Sequence, residues 1–216
     1  MKVLRIDRTS DVLTSAAYDY RNSVVYPVFL ERGFTLIPAL GQGPIAMRQS
    51  VADKDKDLGI VYITAGCHGD PRTLLGNLDQ DLFPMDQYAP AEVQGRIVHF
   101  LACATAIWLG PNFMTNHCRA FIGYNKMFDY DAAWANAFFR CDAKIDLRLA
   151  QGGSVAEAIS DAKTQFDIEI KNAVNQSIAK ELGNRRDSLV GLPTEELDNI
   201  RLYDPAGPVV LPITVS

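Results

Sequence analysis

Two residues in this chain carry the chemistry of a base and a nucleophile, and each closes an apolar run. His68 follows "GIVYIT", 59–64, and precedes Gly69; Cys103 follows "RIVHFL", 96–101, and stands between Ala102 and Ala104. A thiol becomes a strong nucleophile at neutral pH when a neighbouring imidazole takes its proton or stabilises the thiolate. Gly69 lets a substrate approach the backbone, and its N–H together with that of Cys103 could face a developing oxyanion. The two alanines leave the thiol uncrowded.

Each residue also has a plainer reading. A cysteine after a buried strand is commonly a small core residue, and a histidine before glycine is commonly part of a turn. Asp70 could orient His68, or form a turn before Pro71. His99 lies inside its strand and His117 near a helix end, which favours core or surface roles. Strand alternation turns Cys67 away from its neighbour His68. Trp108 and Trp134 read as core or rim aromatics. The four cysteines form no CxxC pair and read as free thiols rather than disulfides. Cys67 with His68, His99 with Cys103, and His117 with Cys118 leave a zinc site open. Structural zinc sites, however, draw on short-spaced pairs that adjacent residues imitate poorly.

The elements that must position these residues alternate along the chain. Residues 11–32 read as helix, 34–40 as a strand that Pro38 weakens or places at an edge, and 44–55 as a short helix with Pro44 at its first position. The apolar runs 59–64 and 96–102 read as strands buried on both faces. The Gly-, Pro- and Asp-rich segment between them reads as a long functional loop or small hairpin. Residues 104–117 read as helix and 119–124 as a further strand. Ser154 and Glu157 form a capping box, after which Val155, Ile159, Ala162, Phe166, Ile170 and Ala173 recur at helical spacing. This rhythm predicts an α/β three-layer sandwich with a mostly parallel central sheet. Ligands of such sheets bind beyond the carboxyl ends of the strands, where His68 and Cys103 both fall.

The chain has 216 residues and a net charge of −5, which suits one globular domain with a less regular tail from about residue 184. No cluster of Lys and Arg offers a nucleic-acid surface. No apolar run reaches the roughly 20 residues of a membrane span, and residues 1–11 lack the apolar segment of a signal peptide. A cytoplasmic location without membrane contact is the default expectation.

The strand plus "HG" at 68–69, followed by the strand plus "AC" at 102–103, resembles the caspase-like cysteine peptidases, the group of caspases, metacaspases, gingipains, separase and CHAT domains. "RAFIGY", 119–124, is similar to the strand after the catalytic helix in CHAT and gingipain-like members. "GGSVAEAISDAKTQF", 152–166, is similar to their next helix. "RLYDPAGPVVL", 201–211, is similar to their terminal segment, with Tyr203 where a glycine is usual.

The resemblance implies a caspase-like fold and a cysteine endopeptidase. Its base would be His68 and its nucleophile Cys103, and it would cleave a protein or peptide substrate through a thioester acyl-enzyme without metal or organic cofactor. It also implies a regulator acting in trans on so short a domain. Several branches place a polar residue two before the cysteine, against the substrate's P1 side chain. Leu101 stands there, which points to a small or apolar P1. The loop after "FIGY", with Tyr124, Asn125, Asp129 and Asp131, is the other candidate wall, and its aspartates keep a basic P1 open or are simply solvated. Two other readings remain: a non-catalytic relative that keeps the fold as a binding or regulatory module, and an unrelated doubly wound binding protein with His68 far from Cys103.

Overall fold

β-branched and aromatic runs supply the strands. In the computed structural model, which describes residues 1–39, 46–54, 57, 59–127 and 134–204, they are β1 (Lys2–Asp7), β2 (Thr35–Pro38), β3 (Ile60–Gly66), β4 (His68–Gly69), β5 (Leu74–Leu75), β6 (Ile97–Leu101), β7 (Ala120–Tyr124) and β8 (Leu189–Leu192). The main sheet runs in the order β2-β1-β3-β6-β7-β8. Its strands are parallel except β8, which pairs antiparallel with β7. β4 and β5 make a separate small antiparallel ladder. Pro38, which has no N–H to donate, lies on the edge strand, where its missing donor costs least.

The helices are α1 (Val12–Tyr20), α2 (Tyr26–Glu31), α3 (Ala46–Lys54), α4 (Leu109–Thr115), α5 (Ala135–Ala150), α6 (Val155–Asn172) and α7 (Gln176–Ser188). A π-helical turn, Arg21–Val25, joins α1 to α2. Strand alternation sends side chains to two faces. On one face Val3, Tyr62, Ile97 and Ile122 pack with Ala17, Phe29 and Phe139 from α1, α2 and α5, and with Val155 of α6. On the other, Ile63, Val98, Phe100 and Phe121 pack with Met47 of α3 and Phe113 of α4. The architecture is therefore an α/β three-layer sandwich with a mostly parallel sheet. Beyond α6, Ile178 and Leu182 of α7 pack with Phe166 and Phe138. Among the described residues no helix is long and apolar enough to cross a membrane.

The capping box forms as the sequence predicts. Glu157 N–H donates to Ser154 Oγ at 3.1 Å, and Ser154 N–H donates to Glu157 Oε2 at 2.6 Å. Two expectations need correction. The helix predicted over 104–117 begins only at Leu109, because Ala104 takes a left-handed φ of 54° and breaks the helix before it can start. The less regular tail begins later than 184, since α7 runs to Ser188 and β8 to Leu192 before the described residues turn irregular. The predicted helix start at Pro44 and most of 201–211 lie outside the described residues.

Candidate active site

β3 and β6 leave the sheet side by side. Gly66 pairs with Leu101, and one residue on Cys67 N–H donates to the Leu101 carbonyl at 3.2 Å. The chain then carries His68 and Gly69 past the turn that holds Cys103. A Cβ on Gly69 would stand 2.7 Å from Thr105 Cγ2, 3.0 Å from the Cys103 carbonyl oxygen and 3.1 Å from Ala102 Cβ. Glycine is what allows the two segments to approach this closely.

The Cys103 turn is laced to its surroundings through the backbone. Ala104 N–H donates to the Lys126 carbonyl at 2.9 Å, Ala106 N–H to the Tyr124 carbonyl at 3.1 Å, and Leu109 N–H to the Pro71 carbonyl at 2.9 Å. These bonds hold Ala104 in its left-handed conformation, which costs an L-residue about 1–2 kcal/mol. α4 starts six positions after Cys103, whereas Leu13 and Thr14 from the first turn of α1 line the cavity that Cys103 borders.

His68 and Cys103 line one cavity of about 30 Å³, with Leu13 from α1, Gly66 and Leu101 from the strand ends, and Phe139 from α5. That volume suits about one water molecule. Cys103 is 8% exposed, whereas the His68 side chain is 37% exposed.

His68 Nε2 lies 3.2 Å from Oδ2 of Asp11, the residue that caps α1. Asp70 does not orient the ring: its Oδ1 accepts from the N–H groups of Arg72 and Thr73 at 2.6 and 3.0 Å, which makes it the turn former. Burial works against an Asp11 anion, but hydrogen bonds from Thr14 and Arg8 and the nearby His68 outweigh it and hold the carboxyl at about 2.

Two strand positions below the cavity, roughly 7 Å along the chain, lies a buried polar layer on the same face. His99 Nε2 stands 3.1 Å from Asp142 Oδ1, and its Nδ1 stands 3.4 Å from Asp146 Oδ1. Tyr124 OH donates to Asp142 at 2.8 Å, and Tyr62 OH and Thr64 Oγ1 donate to Asp146 at 2.7 and 2.9 Å. The Arg21 guanidinium, from the π-helical turn, reaches Asp146 at 3.1 Å and Thr64 at 2.5 Å. Burial disfavours a charged His99, yet Asp142 and Asp146 outweigh it and raise its pKa to about 9. Among the described residues His99, Asp142 and Asp146 are the group of potential metal ligands close enough to share an ion. Arg21 and the hydroxyls already occupy those carboxylates, and the positive charge that a cation would bring is supplied by protein groups.

Of the other residues predicted for the site, Leu101 lines the cavity. Tyr124 is not a pocket wall: it is fully buried and its hydroxyl is committed to Asp142. Asn125 N–H donates to the Ser188 carbonyl at 3.0 Å, and its side-chain oxygen is buried without a hydrogen-bond partner among the described residues. Asp129 and Asp131 lie outside the described residues. Trp108 is an exposed rim aromatic, with the Arg72 guanidinium 5.8 Å from its ring. Cys67 borders the cavity, but its thiol turns away toward the Ile6 carbonyl, among Ile63 and Ala65. The residue that sequence reasoning missed is Asp11, although an aspartate immediately before a helical run is a recognisable cap signal.

Compared by sequence, the chain matches no protein-family model and no curated protein. Compared by structure, it is similar to a secreted C11 cysteine protease from Bacteroides thetaiotaomicron, "iotapain", at 11% identity and a TM-score of 0.44, over 92% of this chain and 81% of that one. The fold described above rests on the strand order and the packed layers of this chain, not on that likeness.

Proposed function

We propose that the protein is a cysteine endopeptidase acting on a protein or peptide substrate. His68 is the general base and Cys103 the nucleophile. One observation carries the reading: an imidazole and a thiol, 35 positions apart in sequence, line the same cavity at the carboxyl ends of adjacent parallel strands. The thiolate attacks the scissile carbonyl, the proton passes to His68, and the backbone N–H groups of Gly69 and Cys103 are the candidates to hold the oxyanion. His68 then protonates the leaving amine, and water hydrolyses the thioester. Leu101 lines the cavity and favours a small or apolar P1 side chain.

The second reading, a non-catalytic binding module, has the small cavity and the low exposure of Cys103 in its favour. Cleavage profiling on a diverse peptide library, run beside Cys103→Ala and with a thiol-directed peptidyl inhibitor, separates the two. A peptidase gives cleavage that Cys103→Ala abolishes, with the inhibitor bound covalently to Cys103. Cleavage that survives Cys103→Ala refutes the mechanism, and neither cleavage nor labelling favours the module.

A further inference from the structure

We infer that Asp11 is a positioning residue for His68, one that determines which ring nitrogen carries the proton. The consequence for reactivity rests on the dyad proposed above; the hold on the ring rests on contacts of Asp11 alone.

Asp11 is anchored before it meets the ring. Its Oδ1 accepts from the backbone N–H groups of Leu13 and Thr14 at 3.1 and 3.0 Å, which caps α1. Its Oδ2 accepts from the Thr14 hydroxyl and from Arg8 Nε, both at 2.8 Å. The same Oδ2 faces His68 Nε2 at 3.2 Å. A carboxylate fixed by four donors cannot turn to follow the imidazole, so the imidazole adjusts to it.

An ionised carboxylate is only an acceptor. Set against Nε2, it selects the neutral tautomer with hydrogen on Nε2, and Nδ1 keeps the lone pair that can take a thiol proton. The surrounding charged and titratable groups do not compete for this place. Arg8 Nη1 spans to the Gly76 carbonyl and to Asp79 at 2.9 and 2.6 Å. Asp70 is closed into its own turn. The Cys67 thiol is directed at the Ile6 carbonyl, 3.7 Å away.

The test replaces the acceptor by a donor while keeping the cap. In Asp11→Asn the side-chain oxygen can still accept from the helix amides, and asparagine caps as well as aspartate, but an NH₂ then replaces the Oδ2 that faces Nε2 and also accepts from Arg8 and the Thr14 hydroxyl, of which the hydroxyl can turn to accept. Nitrogen-15 NMR of the three histidines reads the tautomer. His68→Ala supplies the assignment, and alkylation of Cys103 by iodoacetamide at pH 7 reads reactivity. The wild type is expected in the Nε2–H form, and Asp11→Asn in the Nδ1–H form with Cys103 reacting about 100-fold more slowly or worse. Asp11→Ser, whose shorter side chain caps the helix and sets no NH₂ against the ring, is expected to lose less. An unchanged tautomer or unchanged Cys103 reactivity in a folded Asp11→Asn protein overturns the inference. Wild-type Cys103 reactivity in His68→Ala instead refutes the dyad, while the tautomer measurement still decides whether Asp11 holds the ring.

Discussion

Raising the pH from 6 to 9 should remove stability from this protein through His99. In the folded chain its pKa stands at about 9 against an ordinary value of 6.5, since the attraction of Asp142 and Asp146 exceeds the penalty of burial. A folded pKa raised above the unfolded one means stability that is fully present below pH 6.5 and lost as the pH climbs through 9. At about 1.4 kcal/mol per unit, the loss amounts to about 2 kcal/mol by pH 8 and about 3 kcal/mol beyond pH 9. Urea denaturation at steps from pH 6 to 9 measures it, on the wild type beside His99→Gln, whose amide can still donate to Asp142 but does not titrate. The comparison is needed because burial also raises the Cys67, Cys118 and Cys141 thiols, Cys118 to about 12. Those thiols ionise first in the unfolded chain and erode stability in both proteins. The wild-type curve should fall about 2 kcal/mol more than the variant's between pH 6 and 8. Parallel curves, or a wild-type stability that stays level, would refute a charged His99 beneath the site.

Two further outcomes follow from the packing around Cys103. Gly69→Ala should cost about 1–3 kcal/mol and slow alkylation of Cys103 at least about tenfold, because the new methyl meets a backbone oxygen at 3.0 Å that cannot swing aside; wild-type values in denaturation and alkylation would mean that the turn yields freely. Limiting iodoacetamide followed by peptide mass mapping should find Cys103 modified before Cys67, Cys118 and Cys141, whose burial keeps their thiols protonated; first modification at any of those three counts against Cys103 as the nucleophile.

The parts of the fold legible in the sequence are those where local preference and tertiary role agree. The continuous apolar runs of β3, β6 and β7 and the capping box of α6 are of this kind. α5 is not, because "CDAKIDLRLA" alternates apolar and charged residues with a period of two, the signature of a strand. The protein uses that helix differently. Asp142 and Asp146, four apart, share its buried stripe with Phe139, Ala143 and Leu149, and their partners on β3, β6 and β7 appear only once the layers are stacked. β1 is equally hard to read, since Arg5 interrupts "KVLRID" and rests over the ring of Tyr26 at 4.6 Å. Alternation within β7 puts Tyr124 on the cavity's own face with Ala120 and Ile122, and only the stacked layers show its hydroxyl committed to Asp142 instead. The cap role of Asp11 is local and readable; its contact with His68 depends on α1 lying over the end of β3, which no nearby residue encodes.

The position of β1 inside the sheet sets an order on synthesis. Lys2 is held by Thr35 on one side and by Ile60 on the other, so β1 gains both neighbours only after β3 has left the ribosome. His68, the partner of Asp11, likewise precedes Cys103 in the chain by 35 residues. The turn carrying Cys103 closes later still, since the carbonyl that holds Ala104 belongs to Lys126. Long-range closures of this kind are slow steps in folding. The growing chain thus keeps its thiol apart from a finished site until more than half of the sequence has been made, and a nascent chain stalled before β7 should carry Cys103 without the geometry to use it.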